Sequence, residues 1–214
     1  MSERIRVLIA DDHKIVVEGL RGLLEPEYDL VGTAENGREL LKLAKKLTPD
    51  VIVVDISMPL LNGIDAVAQL QETGCSAKVI FLTMHNEPAY AARAFDAGAS
   101  GFVLKHSAPS ELVNAIEKAL EGGTFISPMI ADGLMEHYKT GGHGQKDPLA
   151  KLSARQREVL QLLAEGKSAK EIAKILSISA RTAEFHKYHI MDVLGLSTSA
   201  EIIHFAIKHG VISI

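Results

Sequence analysis

The sequence predicts an α/β domain with a five-stranded, doubly wound parallel sheet, followed by a small all-α domain built on a helix-turn-helix. Three observations predict it. Short segments rich in Val, Ile and Leu recur near 5–10, 29–34, 51–54, 79–82 and 101–104, and runs apolar on both faces mark strands buried inside a parallel sheet. Helical patterns separate them near 14–24, 37–47, 64–72, 87–97 and 109–121, the rhythm of right-handed βαβ crossovers. Beyond residue 150 only four short helical patterns follow, with no strand pattern.

Taken in order, the strand ends carry the chemistry. The first apolar run closes on Asp11-Asp12, the third on Asp55, the fourth on Thr83 and the fifth on Lys105. In an open parallel sheet, ligands bind beyond the carboxyl ends of the strands. These residues should therefore converge on one pocket of three carboxylates, a hydroxyl and an ammonium. Past the fifth helix, Gly122-Gly123 is a stop signal, and Ser127-Pro128 starts a short helix over 128–138. Lys139 to Pro148 has no apolar residue and three glycines, the composition of a flexible linker with a reach of roughly 17–19 Å. The last four helices fall near 153–164, 168–176, 180–194 and 198–208. Ser153-x-x-Gln156, Ser168-x-x-Glu171 and Thr198-x-x-Glu201 are capping boxes, and Ser179 is an N-cap. The resulting division is a first domain over 1–123, a linker with a short helix over 124–149, and a C-terminal domain over 150–214.

Composition narrows the class. The 214 residues are 47% hydrophobic and 23% charged, which is globular. No apolar run reaches the 18 residues that a membrane span needs, and Met1-Ser2-Glu3-Arg4 leads straight into a strand rather than a signal peptide. Cys75 is the only cysteine, so a disulfide framework and a Cys-based zinc site are excluded; a reducing cytoplasm is the simplest reading. The net charge of -4 is uneven. Residues 1–149 carry 14 basic against 21 acidic side chains, and residues 150–214 carry 9 against 6. The basic back half suits nucleic acid.

In the pocket, Asp12 and Asp55 are placed to hold Mg²⁺ directly and Asp11 through a water, with the Ser57 carbonyl as a further oxygen. One carboxylate then accepts a phosphoryl group, Lys105 and the metal stabilise its oxygens, and Thr83 hydrogen-bonds the product. Singly, Asp11 or Asp12 reads equally as a helix N-cap, Thr83 as a turn hydroxyl and Lys105 as a solvated charge. Together at successive strand ends they specify a site. In the C-terminal half, residues 168–193 read as helix, turn (Ser177-Ile178-Ser179), helix. On 180–194, Ala183, Ile190 and Leu194 form the inward stripe, and Arg181, Glu184, Phe185, Tyr188 and Asp192 the outward one. Glu184, Phe185 and Tyr188 are placed for base edges, and Arg181, Thr182 and Lys187 for phosphates. The alternative is a helical bundle whose aromatics meet a protein.

Residues 5–121 resemble the receiver domain of bacterial two-component response regulators. The resemblance rests on Asp11-Asp12, on Asp55 within Val53-Val54-Asp55-Ile56-Ser57-Met58-Pro59, on Asn62-Gly63, and on Thr83 and Lys105. Leu152 to Ala173, then Ile178-Ser179-x-x-Thr182 through His186, Ile190 and Leu194-Gly195-Leu196, resemble the LuxR-type helix-turn-helix. Together they place the chain with the NarL/FixJ class. That resemblance implies a flavodoxin/CheY-like receiver, Asp55 as phosphoacceptor, Asp11 and Asp12 as metal acids and Phe102 as the rotameric switch aromatic; Phe102 reads equally as a core residue. It also implies that Lys170 joins the DNA-contacting set. The chain departs from the family at His106, where many receivers have Pro, and at Ala169, Ala183 and Val193. Asn and Lys usually touch the DNA backbone at 169 and 193.

The expected function is a phosphorylation-activated, DNA-binding transcription regulator. Its cofactor is Mg²⁺. Its partners are double-stranded DNA and a cognate histidine kinase, with RNA polymerase as a further candidate, and it forms a homodimer when phosphorylated. The rivals are a metal-dependent enzyme working through an aspartyl phosphate and a regulator that works without phosphorylation.

Overall fold

The computed structural model describes residues 4–139 and 148–212. The chain divides into two compact units, one holding the sheet and the other the C-terminal helices. The sheet comprises β1 (Arg6–Ala10), β2 (Asp29–Ala34), β3 (Val51–Val54), β4 (Lys78–Thr83), β5 (Gly101–Leu104) and β6 (Phe125–Ile126), in the order β2-β1-β3-β4-β5-β6. All neighbouring pairs are parallel. The helices between them are α1 (Lys14–Leu24), α2 (Gly37–Leu47), α3 (Gly63–Glu72), α4 (Pro88–Asp96) and α5 (Ala108–Leu120), and α6 (Pro128–Lys139) follows β6.

Side-chain alternation builds the layers. Val7, Ile9, Val51, Val53, Ile80, Leu82 and Val103 point to one face, where Leu20 and Leu24 of α1 and Leu112, Ala115 and Ile116 of α5 cover them. The intervening Leu8, Ile52, Val54, Phe81 and Phe102 are equally buried and belong to the other face. The chain leaves β1 for β2 on one side and enters β3 on the other. The strand order therefore reverses at β1 and β3, and a crevice opens at their carboxyl ends.

Among the described residues the sheet has six strands rather than five. β6 adds two residues beside β5, pairing Phe125 with Gly101 and Ile126 with Phe102. Two residues carry no period-2 signal, and in sequence they sit between a Gly-Gly stop and a Ser-Pro start. The short 3-10 turns Lys105–Ser107 and Pro148–Lys151 escaped sequence reading for the same reason. Most of the expected linker, residues 140–147, lies outside the described residues.

One glycine holds the crevice together. Asn62 caps α3 by accepting from the Asp65 amide, and the Asn62 amide donates to the Asp65 carboxylate. The next residue, Gly63, donates its N–H to the Ile56 carbonyl at 2.8 Å. A Cβ at Gly63 would lie 2.0 Å from the Asp55 carbonyl oxygen. Gly63→Ala is therefore expected to push α3 away from the end of β3, at a cost of about 1–3 kcal/mol. Chemical denaturation compared with wild type checks this.

The second unit consists of α7 (Ala154–Ala164), α8 (Ala169–Leu176), α9 (Ala180–Leu194) and α10 (Ser199–Lys208). The capping boxes at Ser153, Ser168 and Thr198 are all formed, and Ser179 accepts from the Thr182 amide. Val159, Leu160 and Leu162 of α7 meet Ile172 and Leu176 of α8, Ala183 and Ile190 of α9, and Ile202 and Ala206 of α10 in one core. Ser177 ends α8 in the left-handed conformation, which turns the chain sharply enough for α9 to cross α8.

Candidate functional site

The crevice gathers the residues that the strand ends predicted. Asp11 and Asp55 are each only 3% exposed. The Lys105 Nζ lies 2.7 Å from Asp11 Oδ2 and donates to Asp55 Oδ2 at 2.8 Å. The ammonium is thus a half-buried bridge rather than a solvated charge. The Asp55 amide donates to the Ala10 carbonyl at 2.8 Å, which keeps the ends of β1 and β3 level. Thr83, fully buried, accepts from the His85 amide at 3.3 Å. Asp12, by contrast, is exposed.

Burial pushes the Asp55 carboxyl up, and the neighbouring Asp11 adds to it, against the opposing pull of Lys105. Burial draws Lys105 down, but attraction to Asp55 and hydrogen bonds to Asp11 and Asp55 together outweigh it and leave the ammonium above its usual value. The pocket therefore holds a fixed cation beside a carboxylate whose negative charge burial disfavours. A second positive charge in the pocket would favour that charge.

Carboxylate oxygens of Asp11, Asp12 and Asp55 lie within 4.8 Å of one another and of the His13 ring. Hard oxygen donors at that spacing fit a small divalent cation that keeps several waters. Two neighbours escaped the sequence reading. His13 Nδ1 stands 3.1 Å from Asp11 Oδ1 and 3.0 Å from Asp12 Oδ1. His85 Nε2 stands 2.7 Å from Ser57 Oγ, with its ring stacked on Tyr90 at 4.1 Å. Burial holds the His85 ring below its ordinary value. His13 directly follows the acidic pair and was legible in principle. His85 was not, because its contact with Ser57 depends on how two loops meet.

Phe102 is fully buried in β5, three residues before Lys105. The peptide between Lys105 and His106 is trans.

On α9 the two stripes separate as the spacing predicts. Ala183 and Ile190 are buried and Leu194 is half-buried. Arg181, Thr182, Glu184, Phe185, Tyr188 and Asp192 are exposed, with both aromatics at 66%. Lys170, on α8, is exposed as well. Lys187 is half-buried, and its Nζ reaches Ser199 Oγ of α10 at 3.4 Å. His189, which the sequence reading passed over, is exposed and lies parallel to the Phe185 ring at 6.1 Å. It lies one turn beyond Phe185, beside Tyr188, and widens the aromatic stripe. Beneath this stripe, burial, followed by Arg155 and His189, holds the His186 ring below its ordinary value.

Two departures noted in the sequence acquire a physical reason. Val193 and Ala169 are half-buried and pack against the helical core. Each apolar side chain there serves the core, where the family pattern would place a polar side chain turned to DNA.

Comparison with known proteins covers both units. The family model described as response regulator receiver domain matches residues 7–117. The model described as bacterial regulatory proteins, luxR family, matches residues 150–206. The transcriptional regulatory protein MctR of Rhizobium johnstonii is 38% identical over 100% of this chain and 99% of its own length. The response regulator UvrY of Escherichia coli is 32% identical over 96% of this chain and 95% of its own. Among solved structures, RcsB from Salmonella enterica serovar Typhimurium, bound to promoter rprA in the presence of the phosphomimetic BeF3-, has 34% sequence identity. That match has a TM-score of 0.62 and covers 95% of this chain and 98% of RcsB.

Proposed function

The chain belongs to the two-component response regulators that join a receiver domain to a LuxR-type DNA-binding domain, and from that premise we propose that phosphorylation of Asp55 switches its binding to DNA. The protein is a DNA-binding transcription regulator, as its relatives are, and not an enzyme. We read 1–123 as the receiver, 124–149 as a linker with a short helix whose first residues add β6 to the receiver sheet, and 150–214 as the DNA-binding domain.

The observation that carries the proposal is the half-buried Lys105 bridge between the buried carboxylates of Asp11 and Asp55. A lysine held against a carboxylate is placed to follow whatever that carboxylate becomes. A carboxylate oxygen of Asp55 attacks the phosphorus of a phosphohistidine on the partner kinase. The new O–P bond forms as the N–P bond breaks, and the imidazole leaves and takes up a proton. Asp11, Asp12, Asp55 and the Ser57 carbonyl would hold Mg²⁺, which when bound offsets the carboxylate charge and polarises the phosphoryl oxygens. Lys105 stabilises charge on those oxygens during transfer, and Thr83 donates its hydroxyl proton to one of them afterwards. Phe102 turns with Thr83 and Lys105.

The product carries a charge of about -1.5 to -2, and the receiver surface around β5 changes with it. Two phosphorylated copies pair, and each places α9 in a major groove, so a dimer reads half-sites about one helical turn apart. Glu184, Phe185 and Tyr188 read bases. Lys170, Arg181, Thr182 and Lys187 hold phosphates. A DNA target supports a cytoplasmic protein, whose partners are double-stranded DNA, a cognate histidine kinase and, as a further candidate, RNA polymerase.

Sedimentation of the full chain, with and without acetyl phosphate and Mg²⁺, tests this together with binding to DNA fragments selected by the phosphorylated protein. A shift from monomer to dimer with tighter binding is expected. Unchanged mass together with unchanged affinity would refute the switch.

A further inference from the structure

β5 carries Phe102 and ends one residue before Lys105, so a movement of Lys105 reaches it directly. One edge of β5 pairs with β4. On the other edge the pairing with β6 runs out after Phe102 and Ile126, and Ser127 takes over. Its N–H donates to the Phe102 carbonyl at 2.9 Å, and its hydroxyl accepts from the Leu104 N–H at 3.1 Å. The same hydroxyl donates to the carboxylate of Glu111 on α5. Its own carbonyl accepts from Ile130, in the first turn of α6, at 2.9 Å. Ser127 is fully buried, so each of these bonds lacks a competing water.

α6 is seated on the same region. The ring of His106, the residue after Lys105, lies 3.3 Å from the Met129 sulfur of α6. A Cβ at Gly133 of α6 would lie 2.7 Å from Pro88 of α4, so the two helices approach closely there. α6 is also the last described element before residue 140 and the chain's passage to the second unit.

We propose that Ser127 couples the Lys105-bearing end of β5 to α6, making α6 the route by which the pocket's state leaves the receiver. The coupling rests on the aspartyl-phosphate reading above. When Lys105 follows the phosphoryl group, the Leu104 amide next to it moves relative to Ser127. Ser127 is held through its N–H, its hydroxyl and its carbonyl, so the displacement passes through the carbonyl to the first turn of α6 rather than dissipating in a loop. Glu111 fixes the direction by tying the same oxygen to α5. Ser127 acts through its neighbours and touches neither phosphate nor metal: it is a positioning residue.

Hydrogen exchange on the full chain, with acetyl phosphate and Mg²⁺ as the probe, tests the coupling. In the wild type, phosphorylation is expected to change exchange at α6 amides by at least about fivefold, the lower end of ordinary allosteric coupling. In Ser127→Ala, labelling of Asp55 and the exchange change along β5 persist, while the α6 response falls below about twofold. Ser127→Cys keeps the shape but offers a poor acceptor; it gives the same result and serves where the Ala variant is too unstable. A full α6 response in either folded variant overturns the coupling, and so does a wild-type α6 that ignores phosphorylation while β5 responds. Failure of the wild type to be labelled at all overturns the aspartyl-phosphate reading instead.

Discussion

Asp55→Asn is expected to abolish labelling by a small phosphodonor in Mg²⁺, because the amide is too weak a nucleophile to form an acyl phosphate. Asp55 follows β3, in the middle of the sheet, and accepts from the Lys105 ammonium at 2.8 Å. Asp11 touches the same ammonium but also accepts the His13 amide at 2.9 Å, which commits an oxygen to holding the loop. Asp12→Ala is expected to lower labelling through loss of metal affinity, in a way that raised Mg²⁺ partly restores. Mass spectrometry of peptides after acetyl phosphate treatment reads all three proteins. Label persisting on the same peptide in Asp55→Asn would mean that the phosphoacceptor is elsewhere.

Substitutions on α9 are expected to fall into two classes with different signatures. Replacing Glu184, Phe185 or Tyr188 with Ala removes a side chain placed for base edges. The expected cost on the preferred sequence is about 1–3 kcal/mol, with relaxed preference at one base pair. Replacing Arg181 or Lys170 weakens every DNA sequence alike and lowers the salt slope by about 1. Lys187 is the intermediate case. Its ammonium already reaches Ser199, so Lys187→Ala is expected to affect all sequences less than Arg181→Ala does. Binding isotherms on preferred and scrambled DNA at two salt concentrations separate the classes. A uniform loss from Phe185→Ala and Tyr188→Ala would mean that the aromatic stripe supports the domain rather than reading bases.

Much of this architecture was legible because local signals agreed with the global fold. The apolar runs named five strands to within a residue or two, and each capping box named a helix start that the structure shows hydrogen-bonded. The convergence of Asp11, Asp55, Thr83 and Lys105 followed from topology alone, since parallel strands put all their carboxyl ends on one edge. What escaped depends on contacts between distant segments. β6 is two residues long and exists because β5 offers an unpaired edge. Ser57 meets His85 because two loops fold over one crevice. Ser127 read as a helix start, which it is, but its bonds to Leu104 and Glu111 carry no sequence period. The burial of Val193 was likewise hidden, since an apolar residue at a helix end reads equally as a core contact or an exposed one.

The helices of the second unit each begin with their own hydrogen-bonded serine or threonine cap. Three of those caps close reciprocally within four residues, so the starts of the helices need no distant partner. The receiver is built the opposite way, with Val7 waiting for Val51 and Ile80 for Gly101 before any ladder forms. Chains dominated by local contacts fold in microseconds to milliseconds, and long-range parallel pairing is slower because loops must close first. On refolding, the reader of DNA is thus complete while its switch is still assembling. For that interval the helical unit stands folded beside an unfinished sheet, and the time the sheet takes to close sets how long the interval lasts.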